Sequence, residues 1–437
     1  MAVKMSWASP LLLLLACSGS GDPDAPGDGV GSVSADGGAH DGGATDGGGA
    51  DGGSGDGGSG TGGVSADELL FRQAVNGEVD PAEALATIAN RDGLPVQTAT
   101  GSFLFGCLCG DGDWFLAGDH EGWVGQPMQR AGALSWIEVD IADPVDSLYK
   151  FTDGGDVWQA DPLSRRYDYD EFGEYSLVRA SAAHLERWFD IGGKGLQPRR
   201  LRVRVPDGGV FTHALYAQDG NNLFDPDAIN GGWHLQDSLP DGILVVGIDN
   251  TVDRMEEYTH CEDRIHGTSY GGWGDAYADF IGEIVRPMMD AAYGPADTYG
   301  IMGSSLGGLI SYHVADRQPD DWDMVISMSG TMGWGSIELH NPTMPEIWSG
   351  RGHRPMVLYL DSGGGGTCTD SDGDGVPDDD PTASDNYCEN AWFRDILAEQ
   401  GYEFDVDLFH WHEPGAPHNE QAWGARVWRP LDIFANL

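Results

Sequence analysis

The sequence predicts an α/β protein, with a mostly parallel sheet carrying helices on both faces over residues 181–437 and a small all-β sandwich before it over 95–180. Three observations carry this. From about Gln197 onward, β-branched or apolar runs alternate with helical stretches, the pattern of strands joined by crossover helices. Before that point, apolar runs at 103–105, 114–116, 135–139 and 148–151 recur at hairpin spacing between Gly and Asp. The segment Gly303-Ser304-Ser305-Leu306-Gly307 sits where a strand pattern passes directly into a helical one.

Taken in order, residues 1–16 join Lys4 to an apolar run too short to span a bilayer, which reads as a signal peptide and makes the chain an exported one. Its last residues, Leu14-Leu15-Ala16 before Cys17, resemble the bacterial lipobox. That resemblance implies a lipid on Cys17 and anchorage to a bacterial cell membrane, on the periplasmic or the outer side. Residues 17–65 are rich in Gly and Asp, with Asp36, Asp41, Asp46, Asp51 and Asp56 recurring every five residues, so no core can form there and a flexible tether is expected. A helical lead-in is expected over 66–94.

Charge narrows the partners. Lys and Arg number 23 against 71 Asp and Glu, a formal net charge of −48 that repels polyphosphate, so nucleic-acid binding is excluded. Within 95–180, the words Ala117-Gly118-Asp119-His120-Glu121-Gly122-Trp123, Tyr149-Lys150-Phe151 and Val157-Trp158-Gln159-Ala160-Asp161-Pro162 resemble the glycogen-binding-type early-set sandwich found before many hydrolase domains. Some members of that family bind glucans through exposed aromatics and many pack passively; here Trp123 and Trp158 are the residues at issue.

In the α/β half, strands are expected at 201–205, 212–217, 243–248, 298–302, 324–328, 356–360 and 404–411, and helices at 276–289, 309–316, 391–399 and 420–436. Gly303 and Gly307 flank Ser305 as a nucleophile elbow requires. The turn holds its serine in strained dihedrals, and side chains two residues away would meet neighbouring backbone. A serine hydroxyl needs a base, carried in such folds on a loop after the last strand. His410 and His412 fall in that strand, whereas Glu413-Pro414-Gly415-Ala416-Pro417 releases His418 from it, so His418 is the expected base.

The surrounding words then match a family. Leu215 through Asp225, Gly247-Ile248-Asp249-Asn250, Glu257-Tyr258-Thr259, Gly274 through Phe280, the elbow, and His418-Asn419-Glu420 through Trp423 resemble the enterochelin esterase and esterase D group of α/β-hydrolases, over roughly 200–437. The resemblance implies a carboxylic ester hydrolase with oxyanion donors at the backbone N–H groups of Leu306 and Asn221. It also implies an acid several residues beyond Asp361, where this chain instead reads Gly364-Gly365-Gly366. An acidic insertion over 364–384 interrupts the site, and Asp385-Asn386-Tyr387 continues the family pattern, so Asp385 is the expected acid and Asp361 the runner-up.

Inside the insertion, Asp370, Asp372, Asp374, Val376 and Asp378 alternate around Gly375 as a calcium loop does, with Pro381 where a bidentate carboxylate is usual. Structural Ca²⁺ is therefore expected, and no cofactor for the chemistry. Cys368 and Cys388 bracket the same excursion and are the expected disulfide; Cys107, Cys109 and Cys261 are left without an assigned pairing. Tyr258, Trp273 and Trp334 are loop aromatics and candidates for a substrate pocket. The function expected is hydrolysis of a small or glycan-linked acyl ester by Ser305, His418 and Asp385. Acyl transfer by the same residues, and a glycan-binding surface protein with a relict hydrolase fold, are the alternatives.

Overall fold

The computed structural model describes residues 63–379 and 385–437. The expected signal peptide, Cys17 and nearly all of the tether lie outside them. Helix α1, Ala66–Val75, begins where Ser65 Oγ accepts from Glu68 N–H, and helix α2, Pro81–Ala89, where the Asp80 carboxylate accepts from Ala82 and Glu83. Both helices pack Phe71, Leu85 and Ile88 on Leu104 and Leu134 of a four-stranded antiparallel sheet made by Val96–Gln97, Phe103–Cys107, Leu134–Val139 and Gln129–Ala131. Strand alternation decides the layers. Leu104 points to the helices, while Phe103, Phe105 and Cys107 point the other way, to a cluster with Leu116, Tyr149 and Phe151 of the next layer. A Cβ on Gly106 would lie 2.8 Å from the Phe71 ring, which is why the helix can sit so close.

That next layer does not close on itself. Phe115–Gly118, Leu148–Thr152, Gly173–Leu177 and Arg166–Asp170 pair in turn and then join β1, His184–Gly193, through Leu185↔Tyr167 and Glu186↔Arg166. Pairing thus crosses the boundary expected at residue 180, because the long β1 offers the outer strands an edge to extend.

Beyond β1 run β2 (Leu196–Val205), β3 (His213–Gln218), β4 (Ile243–Ile248), β5 (Thr298–Ser304), β6 (Met324–Met328), β7 (Val357–Ser362) and β8 (Leu408–His412). Their order in the sheet is β8-β7-β6-β5-β3-β4-β2-β1; β2 is antiparallel to both its neighbours, and β3 to β8 are parallel throughout. Successive residues face opposite cores. Tyr216, Val246, Ile301, Val325 and Leu358 face one core with Leu309 of helix α3, Leu306–Arg317, and Phe393 of helix α4, Tyr387–Glu399. Leu215, Val245, Met302, Ile326 and Tyr359 face the other, with Trp423 of helix α5, Glu420–Gly424, and Leu431 and Phe434 of helix α6, Trp428–Phe434.

The departures from expectation have local causes. The helix expected at 420–436 is two, α5 and α6, the first ending at Gly424, where a Cβ would lie 2.3 Å from Trp233 O. The helix expected at 276–289 is Gly274–Phe280 and Arg286–Tyr293 joined by a π-helical turn, Ile281–Val285, just before Pro287, which has no N–H to donate. A hairpin, Glu262–Ile265 with Thr268–Gly271, was not foreseen. Among the described residues no helix is long and apolar enough to cross a membrane.

Candidate active site

The C-terminal ends of the parallel strands are where open α/β sheets present their chemistry, and the candidate residues gather there. Ser305 follows β5 at φ 56° and ψ −125°, a conformation that L side chains rarely adopt. Four backbone hydrogen bonds hold it there: its N–H donates to Met328 O (3.0 Å), and its carbonyl accepts from Gly308 (3.0 Å), Leu309 (3.2 Å) and Thr331 (3.2 Å). The flanking glycines are required sterically, since a Cβ on Gly303 would stand 2.5 Å from the Gly307 backbone. One on Gly307 would stand 3.1 Å from Gln218 Cβ and 3.3 Å from Asp219 Oδ2, so the elbow lies directly against the turn after β3.

Both expected oxyanion donors lie on that seam. Leu306 opens α3, where a first-turn N–H has no intrahelical acceptor. Asn221 lies in the turn Gly220–Asn222, whose neighbouring amides are tied down, Asn222 N–H to Asp219 O (2.9 Å) and Leu223 N–H to Gly220 O (3.3 Å). The turn is braced by Asp219, at φ 56°, whose carboxylate accepts from Arg254 (2.7 and 2.8 Å) and Asn250 Nδ2 (2.6 Å).

The candidate acid and base come from two further loops. Asp385 forms an antiparallel bridge with Gly363, one residue past β7, and Gly364 exchanges backbone hydrogen bonds with Gly415 and Ala416 of the loop that carries His418. His418 Nδ1 is hydrogen-bonded to Asp385 Oδ1. Such a bond fixes the tautomer with its proton on Nδ1 and leaves Nε2 able to accept a proton. The other carboxylate oxygen, Oδ2, accepts from Ser329 Oγ (2.5 Å), Gly363 N–H (2.7 Å) and Arg426 Nη2 (3.3 Å). Burial would push this carboxyl up, but His418, Ser329 and Arg426 outweigh it and hold Asp385 below its ordinary range.

Asp361 has a different environment. Buried at the end of β7, it accepts from Arg426 Nε and Nη2 (3.1 Å each) and Tyr359 OH (3.3 Å), and burial raises it despite Arg426. His410 and His412 stay on β8. Burial lowers the first to about 4, and the second packs at a tilt on Tyr387, ring centroids 4.2 Å apart.

Ser305 is joined to this pair through Thr331. Its hydroxyl is 3.5 Å from Thr331 Oγ1, which is 3.2 Å from Asn386 Nδ2, next to Asp385. Ser305 and His418 are not themselves hydrogen-bonded, a looseness common before substrate tightens a site. Ser329, Thr331, Trp423 and Arg426 were not singled out from the sequence for roles in this site. Only Trp423 had a signal, its place in the closing motif.

The candidate pocket aromatics divide. Tyr258 and Trp334 are fully buried and belong to the core, the first with its OH accepting from Asp219 N–H (3.2 Å) and the second donating from its indole to Cys261 O (2.8 Å), so neither lines an open pocket. Trp273, 44% exposed, faces solvent. In the insertion, one oxygen from each of Asp370, Asp372 and Asp374 lies within 4.8 Å of the others, a set that suits a hard cation. Asp378 instead accepts from Ser371 N–H (2.6 Å) and Oγ (2.5 Å), and the Val376 N–H donates to Asp374 (2.8 Å). Cys368 is bonded to Cys388 and Cys107 to Cys109, and among the described residues this leaves Cys261 outside a disulfide.

Sheet order, elbow and loop-borne carboxylate and imidazole define the α/β-hydrolase class. The Esterase family model matches residues 196–426, more than half of the chain, and the chain belongs to that family. It is 30% identical over 148 residues to the uncharacterized protein YbbA of Bacillus subtilis (strain 168), covering 30% of this chain and 57% of that one. It is 25% identical over 192 residues to the siderophore enterobactin esterase of Emericella nidulans, covering 37% and 63%. The chain therefore spans less than two thirds of the length of either curated relative. Solved structures that resemble it include the enterobactin esterase FES of Shigella flexneri (14% identity, 77% of this chain and 93% of that one, TM-score 0.43). Another is the siderophore hydrolase EstA of Aspergillus nidulans (20% identity, 58% and 94%, TM-score 0.44).

Proposed function

We propose that the protein is a serine esterase that hydrolyses carboxylic esters without a metal or cofactor in the chemical step. The observation that carries the reading is the Asp385–His418 pair, held on loops after β7 and β8 at the same sheet edge as the Ser305 elbow. Ser305 Oγ attacks the ester carbonyl carbon while its proton passes to His418 Nε2, and Asp385 stabilises the resulting imidazolium. The carbonyl oxygen, now negative, accepts from the Leu306 and Asn221 N–H groups. His418 returns the proton to the departing alcohol, and a water molecule then repeats the sequence on the acyl-enzyme, releasing the acid and restoring Ser305.

The substrate proposed is a small or glycan-linked acyl ester. Family membership and the siderophore esterase among its relatives support testing aromatic siderophore esters first. Acyl transfer would use the same residues with an alcohol in place of water. We propose further that the chain is exported and lipid-anchored through Cys17, that Ca²⁺ on Asp370, Asp372 and Asp374 stiffens the insertion, and that the strands of 95–180 are an early-set sandwich. Trp158, 47% exposed beside Trp123 with ring centroids 6.3 Å apart, is where glycan binding by those strands would be tested, passive packing on the esterase being the alternative.

The test is a panel of chromogenic esters varying acyl length and aromaticity, run on wild type and Ser305→Ala. Loss of kcat by at least ~10³ in the variant is expected. Wild-type turnover in Ser305→Ala would end the esterase reading.

A further inference from the structure

Ser329 lies one residue beyond β6, fully buried and at φ 52°. Its hydroxyl has three neighbours: Trp423 Nε1 at 3.1 Å, Arg426 Nη2 at 2.7 Å and Asp385 Oδ2 at 2.5 Å. Indole and guanidinium nitrogens only donate, so both lone pairs of Oγ are taken. The single hydroxyl proton is left for the neighbour that can accept, the Asp385 carboxylate. Hydrogen-bond direction is thereby set by the chemistry of the three partners.

The consequence falls on the acid. With Ser329 O–H, Gly363 N–H and Arg426 all on Oδ2, that oxygen is saturated, and Oδ1 is left for His418. Turning the carboxylate about its axis would break these contacts together, so its orientation is locked. The Ser329 backbone adds to this, because its N–H donates to Asp361 O (2.9 Å) at the end of β7, and its carbonyl accepts from Asn386 Nδ2 (2.9 Å), next to the acid.

We propose that Ser329 is a positioning residue for the reaction, acting through Asp385 to keep one carboxylate oxygen aimed at His418. This rests on the serine esterase reading above. The experiment is a double-mutant cycle on chromogenic ester hydrolysis with Ser329→Ala, Asp385→Asn and the pair, alongside Ser305→Ala. Ser329→Ala is expected to lower kcat by roughly 10- to 100-fold with KM changed less than about threefold. In the Asp385→Asn background the same change should lower kcat less than about threefold, since the group it acts through is already gone. Ser329→Gly, which suits the left-handed backbone, should match the alanine variant and serves if that one fails to fold.

Equal losses in both backgrounds would make Ser329 a purely structural residue and overturn the proposal. So would unchanged kcat in Ser329→Ala and Ser329→Gly while Asp385→Asn and Ser305→Ala both lose activity. Full activity in Ser305→Ala would instead remove the esterase reading itself, and this inference with it.

Discussion

Replacing Ser305 by glycine should stabilise the protein while abolishing its activity. At φ 56° and ψ −125°, an L-residue at this position carries backbone strain, of the order of 1–3 kcal/mol for a sparsely populated conformation. Glycine removes that strain but adds conformational entropy to the unfolded chain, about 0.5–1 kcal/mol against it. The balance runs from about 0 to 2.5 kcal/mol, centred on about 1.3 kcal/mol in favour of the glycine variant. Ser305→Ala is the matched control, since it also lacks the hydroxyl but keeps a Cβ and therefore the strain. Both variants should be inactive. Differential scanning calorimetry should find the glycine variant melting about 3–5 °C above the alanine one, given roughly 2–4 °C per kcal/mol for a domain of this size. Equal midpoints, or the alanine variant the more stable, would show that the turn is unstrained and is not a nucleophile elbow.

Asp385→Asn should lower kcat by about 10⁴, the scale expected when a triad histidine loses its tautomer, whereas Asp361→Asn should act mainly on stability through Arg426; steady-state kinetics and melting of the two variants separate them. Asp161, buried and raised to about 6, should make the fold less stable as pH rises. Because its folded pKa lies above its ordinary 3.8, the contribution is full below that value and lost as pH passes through about 6, and Asp161→Asn should flatten this slope in melting curves taken between pH 4 and 8. Chelation of divalent cations should lower both the melting temperature and kcat if Ca²⁺ holds the insertion, and calorimetric titration of the stripped protein with Ca²⁺ should show binding that Asp372→Asn weakens. Fatty-acid labelling of the full chain expressed in bacteria should disappear in Cys17→Ser; equal labelling of both forms would remove the anchor.

Much of the α/β half was legible because its signals are steric or periodic. Apolar runs bounded by Gly and Asp marked β4 and β6 closely, since a strand buried on both faces needs such a run. The Gly-x-Ser-x-Gly spacing marked the turn because backbone atoms of Gly303 and Gly307 meet there. His418 could be separated from His410 and His412 by the Pro- and Gly-bearing loop that lifts it off β8. Asp385 was reached through family resemblance, because more than twenty residues part it from β7 in sequence while one bridge to Gly363 joins them in space. Ser329, Thr331 and Arg426 carried no signal, since a serine after a strand and an arginine in the turn between two short helices look alike in any chain. The aromatics Tyr258 and Trp334 misled for the opposite reason. Loop residues were read as surface, but the hairpin Glu262–Ile265 with Thr268–Gly271, its Asp263 carboxylate gathering backbone N–H groups from Gly335, Ile337, Glu338 and Leu339, folds these loops inward.

On this mechanism Ser305 is a nucleophile activated by His418. A fluorophosphonate reports this directly, because it captures a serine whose hydroxyl is deprotonated in place and leaves a covalent adduct on it. Peptide mass spectrometry of the treated protein should find the adduct on the peptide containing Ser305, with labelling slowed at least ~10³-fold in His418→Ala. An adduct on another serine, or labelling at the wild-type rate without His418, would show that Ser305 is not a nucleophile activated by His418.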